Sequence, residues 1–157
     1  MLTPLGLVLF YCAFVAMKHQ DRRPIAHDDL LDGLALVEGG EEIIFGGVIK
    51  DEGKLHALRM FKDRGSGVVR LEACALRGPM NDVPIWTAFV NRYVGDLDWM
   101  QLERGGIVSL AALRPPPYVF LAGYEPPRSM DNDYLLQFTT TEGEFLFLAL
   151  CRSCACG

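Results

Sequence analysis

The first 17 residues, MLTPLGLVLFYCAFVAM, carry no charged side chain, and this run constrains the chain more than any other feature. A helix over residues 2–17 would be roughly 24 Å long at 1.5 Å per residue, slightly shorter than the ~30 Å hydrocarbon core of a bilayer. Extension to Lys18, whose aliphatic stem can reach the interface, nearly closes this gap. The run therefore predicts a membrane anchor helix over residues 1–17.

Two other interpretations of this run stay open. A secretory signal would carry a basic residue before the apolar run and small residues at a cleavage point, and the sequence fits neither requirement. Short apolar runs are also common in the cores of globular domains, so residues 2–17 could be a buried helix or strand.

The segment after the run predicts how the anchor would be oriented in the membrane. Lys18, Arg22 and Arg23 follow directly, in a basic connector over residues 18–26. Basic residues favour the cytoplasmic side of a membrane, or its matrix or stromal equivalent. The predicted localisation is therefore that of a single-pass membrane protein, with the N-terminus outside and the main domain inside.

The composition excludes several classes of protein. With 50% hydrophobic and 22% charged residues, the 157-residue chain is too apolar to be disordered and long enough for one domain beside an anchor. The net charge is −5 and the basic residues are scattered, which predicts no nucleic-acid binding. Five cysteines, an odd number, do not indicate a disulfide framework and agree with a reducing compartment.

The remainder, residues 27–150, has the pattern of a β-rich globular domain. A short helix is predicted between His27 and Gly39, because aspartates precede a helical apolar pattern that two glycines end. Apolar runs then alternate with short polar turns, and strands over residues 42–49, 55–62 and 68–76 predict an antiparallel meander.

The later elements complete the predicted fold. An amphipathic helix is predicted over residues 82–95, where apolar residues fall on one helical face: Ile85, Trp86, Phe89, Val90, Tyr93 and Val94. Further strands are predicted over residues 97–103, 107–113, 118–123, 134–141 and 144–151. The last of these is apolar on both sides, so it lies centrally in the sheet or contacts a partner or membrane. The predicted class is α+β and β-dominated: about eight antiparallel strands in a barrel-like or strongly curved sheet, one packed helix, and a preceding transmembrane helix.

The C-terminal segment over residues 151–157 contains three cysteines. Cys151 and Cys154 have the CxxC spacing that lets two thiolates bind one zinc ion, and Cys156 could join them. A fourth ligand would have to come from a distant histidine, so a flexible tail with incidental thiols is the simpler interpretation. Other site motifs are missing from the sequence, including a Walker loop, a dinucleotide fingerprint and H-E-x-x-H, and we expect no enzyme activity.

These features predict a non-catalytic accessory subunit of a membrane-protein complex, in contact with larger subunits and the lipid bilayer. The predicted contact residues are Leu5, Leu7, Leu9, Phe10, Phe14, Lys18, Arg22, Arg23, Phe145 and Phe147. The alternative is a β-barrel module that binds a small apolar ligand or pigment in a cavity. The aromatic residues that would line this cavity are Trp86, Phe89, Trp99, Phe120 and Phe138.

Overall fold

The computed structural model of the protein describes residues 40–77, 84–90, 93, 97–111, 113 and 116–153. In chain order the strands are β1 (Glu41–Asp51), β2 (Lys54–Asp63), β3 (Val69–Ala75), β4 (Pro84–Phe89), β5 (Met100–Leu102), β6 (Ile107–Leu110), β7 (Tyr118–Val119) and β8 (Tyr134–Phe138). A 3₁₀ turn over Leu97–Trp99 precedes β5, and the helix α1 (Thr141–Ser153) follows β8. The predicted anchor, the basic connector and the predicted helix between His27 and Gly39 lie outside the described residues.

The strands form one eight-stranded sheet in the order β5-β6-β8-β1-β2-β3-β4-β7. Every recorded pairing is antiparallel, and β1, β2 and β3 form the predicted meander. The long strand β1 joins the two halves of the sheet, because it pairs with β2 along its length and with β8 at Ile49 and Lys50. A register shift after Ile43 places one extra residue in β1, which is a β-bulge that bends the strand.

One hydrophobic core takes side chains from both halves of the sheet and from α1. Phe45 and Ile49 of β1 lie in the same buried cluster as Leu71 of β3, Val108 of β6 and Phe147 of α1. Strands at opposite ends of the sheet can share one core only when the sheet curves around it. The predicted β-dominated antiparallel sheet with a packed helix is therefore confirmed.

The predicted helix over residues 82–95 is wrong, since the part of this stretch that begins at Pro84 is strand β4. Every residue of β4 is buried, so its apolar side chains do not need to share one helical face. Trp86 pairs with Ala73 and Phe89 with Arg70 in the neighbouring strand β3. Pro84 opens the strand, which is a position where the missing N–H is tolerated.

The predicted strand over residues 144–151 is also wrong, because these residues belong to α1. The buried side chains Glu144, Phe147, Leu148 and Cys151 recur at the i, i+3, i+4, i+7 spacing of one helical face. Thr140 caps the helix by accepting a hydrogen bond from the Gly143 N–H at 3.0 Å. The run combines leucine and alanine, which favour a helix, with two phenylalanines, which favour a strand, so its composition alone does not select the helix.

Three aromatic rings fix α1 on the sheet. Phe147 lies 5.6 Å from Phe45 and 5.3 Å from Phe138 between ring centroids. Aromatic rings at these separations contribute stabilising free energy in addition to that from the apolar area they bury. Cys151, one turn further along α1, is also completely buried.

The predicted single-pass membrane localisation is wrong. Among the described residues, no helix combines the length and the apolar character needed to cross a bilayer. The predicted contact residues of the anchor and connector lie outside the described residues; they are Leu5, Leu7, Leu9, Phe10, Phe14, Lys18, Arg22 and Arg23.

Candidate interaction surface

The two predicted contact residues of α1 have opposite environments. Phe145 is 58% exposed, whereas Phe147 is fully buried in the core. Residues two apart on a helix point about 200° apart, so they cannot both face a partner. Phe145 is therefore accessible and Phe147 is a core residue, while contact of these residues with a partner or membrane stays a prediction.

The predicted cysteine cluster is not assembled in the described part of the chain. Cys151 is buried on the core side of α1, while Cys154 and Cys156 lie outside the described residues. No group of three potential metal ligands occurs among the residues that the structure describes. Zinc binding by this segment stays a prediction.

The aromatic residues predicted to line a ligand cavity are mostly packed side chains. Trp86, Phe89, Trp99 and Phe138 are each at most 5% exposed, and Phe120 is half-buried. Beside Trp86 lies a void of about 20 Å³. A void of this size holds about one water molecule, so it gives no room for a pigment.

An exposed apolar groove runs between α1 and the edge strand β5. It has a volume of about 370 Å³, and its walls are Met100, Leu102, Phe145, Leu148, Ala149 and Arg152. Leu102 is 52% exposed, and Leu146, beside the groove on α1, is 51% exposed. We call the six wall residues together the α1–β5 groove.

The groove forms because α1 carries apolar residues on its outer side, which faces away from the core. Glu144, Phe147, Leu148 and Cys151 use the inner side of the helix for the core. Phe145, Leu146 and Ala149 are therefore left facing solvent, where a helix of this length normally carries polar residues. Sequence reasoning missed this surface because it treated the run as a strand, although the helical spacing of the buried residues would have separated its two sides.

A second cluster of polar side chains is a buried ion-pair network on the sheet. Arg70 donates to Glu41 Oε1 and Oε2 at 2.6 and 2.9 Å, and to Glu72 Oε2 at 2.6 Å. The Arg70 guanidinium also lies 4.3 Å from the centre of the Phe61 ring and donates to Thr87 Oγ1. Burial alone would lower the pKa of Arg70, but the hydrogen bonds and charges of Glu41 and Glu72 outweigh it and raise the pKa. Because its donors are engaged, Arg70 holds the strands together rather than binding an anion.

The thiol beside this network is chemically inert. Cys74 is fully buried and donates a hydrogen bond to Glu72 Oε1 at 3.0 Å. Burial and this carboxylate raise the pKa of Cys74 to about 12. Since the thiolate is the nucleophilic form, Cys74 is not a catalytic nucleophile in this environment.

A third polar group lies at the β1–β2 turn. The Tyr124 hydroxyl donates to Asp51 Oδ2 at 2.6 Å, and burial together with this bond raises the pKa of Tyr124. The His56 ring lies edge-on to Tyr124 at 6.1 Å, and its Nδ1 is buried without a hydrogen-bond partner among the described residues. Burial lowers the pKa of His56 below 6.5, although the charge of Asp51 raises it and that of Lys54 lowers it further.

We expect His56 to make the domain less stable in mild acid. Because the folded-state pKa lies below the unfolded-state value of 6.5, the unfolded chain binds the proton more readily. The free energy of unfolding should therefore fall as the pH drops from about 7.5 to about 5.5. The check is urea denaturation at both pH values.

The control for this pH dependence is His56→Leu, which removes the titrating ring and leaves the other histidines in place. We expect the variant to lose much less stability over the same pH interval. An equal loss in both proteins would assign the effect to other groups.

Comparison with protein families gives one match. A family model described as "PH domain found in tandem in fungal proteins" matches residues 42–155. The matched range begins in β1 and extends beyond α1, so it includes every strand and the helix described above. No curated protein and no solved structure matches the chain significantly.

Proposed function

Because the chain belongs to the family of PH domains found in tandem in fungal proteins, we propose that it is a non-catalytic interaction domain. Its partner is a second domain of the same tandem arrangement, which docks into the α1–β5 groove. The proposal keeps the predicted accessory, non-catalytic role and replaces membrane-protein subunits with a neighbouring domain. The exposed apolar groove is the observation that carries it.

The exposure of the groove supports a protein partner. Phe145 of α1 and Leu102 of β5 are each about half exposed and line the same groove. Contiguous apolar patches of this kind are uncommon on monomeric proteins and mark interaction sites. An aromatic side chain at the centre of such a patch is a typical source of binding energy.

The tandem arrangement supports a neighbouring domain as the occupant. Two domains joined by a linker meet at a high effective concentration, so a small apolar contact suffices to hold them together. Interfaces between domains of one chain are commonly small for this reason.

The charge distribution argues against an anionic surface as the partner. The chain has a net charge of −5, and in the β1–β2 turn Lys50 and Lys54 are balanced by Asp51 and Glu52. Binding to anionic lipids or nucleic acids depends on clustered basic residues. The apolar groove is therefore the better-supported interaction surface.

The test is a charged substitution in the groove, Phe145→Asp. Binding of a second PH domain of this family is measured by isothermal titration calorimetry at two temperatures. We expect the wild type to bind with a negative heat-capacity change, as apolar burial produces. Phe145→Asp should weaken binding at least about tenfold, because it places a charge in the apolar contact.

Leu121→Asp is the matched control, since Leu121 is 54% exposed but lies outside the groove. This variant should bind like the wild type. Equal weakening by the two substitutions, or unchanged binding by Phe145→Asp, would refute the groove as the docking site. Urea denaturation confirms that both variants remain folded.

A further inference from the structure

The strand β5 has one edge that pairs with no other strand in the described part of the chain. In the order of the sheet β5 is the first strand, and its neighbour is β6 on one side. An open edge presents backbone N–H and C=O groups that can pair with a further strand. We call the side of β5 away from β6 the free edge.

The register of β5 and β6 shows which backbone groups point to the free edge. At one end of the pair, the Glu103 N–H donates to the Ile107 C=O at 2.7 Å. At the other end, the Ala111 N–H donates to the Trp99 C=O, also at 2.7 Å. Hydrogen-bonded pairs alternate with non-bonded pairs in an antiparallel ladder. Gln101, midway between the two bonded ends, therefore turns its backbone groups toward β6.

Leu102 takes the opposite orientation. Because it follows Gln101 in the ladder, its N–H and C=O point to the free edge. Its side chain lines the α1–β5 groove together with that of Met100, two residues earlier on the same face of the strand. The free edge and the apolar groove are therefore adjacent, since backbone and side chains of one strand form them.

The other wall of the groove is a stripe along α1. Phe145, Leu148, Ala149 and Arg152 recur at the i, i+3, i+4, i+7 spacing of one helical side. The stripe is about 10 Å long at 1.5 Å per residue, and an extended segment of about three residues has the same length. The strand β5 also has three residues, so the two walls match in length.

We propose that the second domain of the tandem arrangement occupies the groove with an extended segment, which pairs with the free edge as a further strand. Every second side chain of this segment points toward α1 and is apolar, because it fills the space between Leu102 and Phe145. Strand addition takes affinity from main-chain hydrogen bonds and specificity from the spaces that receive alternate side chains. This inference rests on the proposed function, since it names the part of the partner domain that docks.

Arg152 adds a charge to this recognition. Its side chain is exposed, and no carboxylate among the described residues forms an ion pair with it. We therefore expect the segment to carry an acidic residue where it passes Arg152. An exposed ion pair contributes little affinity, but complementary charges help to fix the register of the partner.

A helix in the groove would interact differently. The backbone groups of a helix are bonded within the helix, so a helix cannot pair with the N–H and C=O of Leu102. The state of the Leu102 amide therefore distinguishes a paired strand from any other occupant.

Amide hydrogen exchange measured by NMR on the full chain tests this difference. The probe is the second PH domain of this family, added in excess. In the free chain we expect the Leu102 amide to exchange much faster than the Gln101 amide, which donates to β6. Binding should slow exchange at Leu102 about a hundredfold, to a rate comparable with that of Gln101.

The possible failures have different signatures. Binding of the probe with a Leu102 amide that still exchanges fast overturns the inference and leaves the groove as a docking site. No binding of the probe refutes the proposed function and the inference together. Slow exchange at Leu102 without the probe, in a monomer or a dimer, shows that the free edge is already paired and overturns the inference.

A pair of substitutions at one position gives an independent test. Leu102→Ala shortens the side chain, whereas Leu102→Pro also removes the N–H that faces the free edge, a position where proline is tolerated. We expect the proline variant to bind the probe at least about tenfold more weakly than the alanine variant, because a carbonyl of the partner loses its donor. Equal affinities overturn the inference; if urea denaturation shows that the proline variant is unfolded, the exchange measurement decides.

Arg152→Gln tests the acidic residue of the segment. We expect binding about threefold weaker than that of the wild type at low salt, and a smaller dependence of affinity on salt concentration. An unchanged affinity with an unchanged salt dependence contradicts the expected acidic residue.

Discussion

Replacement of Arg70 by methionine should lower the free energy of unfolding by about 3–5 kcal/mol, the usual cost of removing one partner from a buried ion pair. The side chain of Arg70 is 6% exposed, and its carboxylate partners Glu41 and Glu72 are 11% and 8% exposed. Methionine fills a similar volume but removes the guanidinium that donates hydrogen bonds to Glu41 and Glu72. Urea denaturation at neutral pH measures the loss.

Arg70→Lys is the control for charge. Lysine retains the positive charge but cannot form the two-fold hydrogen bond to Glu41, so we expect an intermediate loss. A loss below about 1 kcal/mol in Arg70→Met would mean that the network contributes no more than a surface ion pair.

Replacement of Phe147 by alanine should have a similarly large effect, about 3–5 kcal/mol, as is typical of a buried phenylalanine. Its ring is fully buried and contacts both Phe45 and Phe138. The substitution leaves a cavity where α1 meets the sheet. Because α1 forms one wall of the α1–β5 groove, we also expect loss of partner binding.

Phe145→Ala provides a matched control two residues away on the same helix. Phe145 is 58% exposed, so its removal should change the free energy of unfolding by less than about 0.5 kcal/mol. Urea midpoints at an unchanged m-value measure both variants. Equal destabilisation by the two substitutions would contradict the burial pattern of α1.

The α1–β5 groove illustrates why a functional surface is harder to predict than a strand. Phe145 could be identified from sequence as an accessible apolar residue, but Met100 and Leu102 are distant in the chain and come beside it only through the packing of α1. The different burial of Phe145 and Phe147 has the same origin, since the two phenylalanines differ only in which side of a helix they occupy. A pattern that does not distinguish helix from strand cannot separate them.

The meander β1–β2–β3 could be predicted from local sequence patterns. Its polar turns are short, and the alternation of Val69, Leu71 and Ala73 with Arg70 and Glu72 has the period of a strand. Such local patterns specify backbone conformation because each strand pairs with the next one along the chain. The β-dominated fold class could be predicted from the same signals.

The conformation of the two apolar stretches at residues 84–90 and 144–151 depends on tertiary packing. Both are nearly continuous in hydrophobicity, and their periodicity fits a buried strand or a helix. The first stretch is a strand because β3 and β7 pair with its two edges. The second is a helix because one helical face packs against the core of the curved sheet. Long-range packing, which no local pattern encodes, supplied the free energy that selected each conformation.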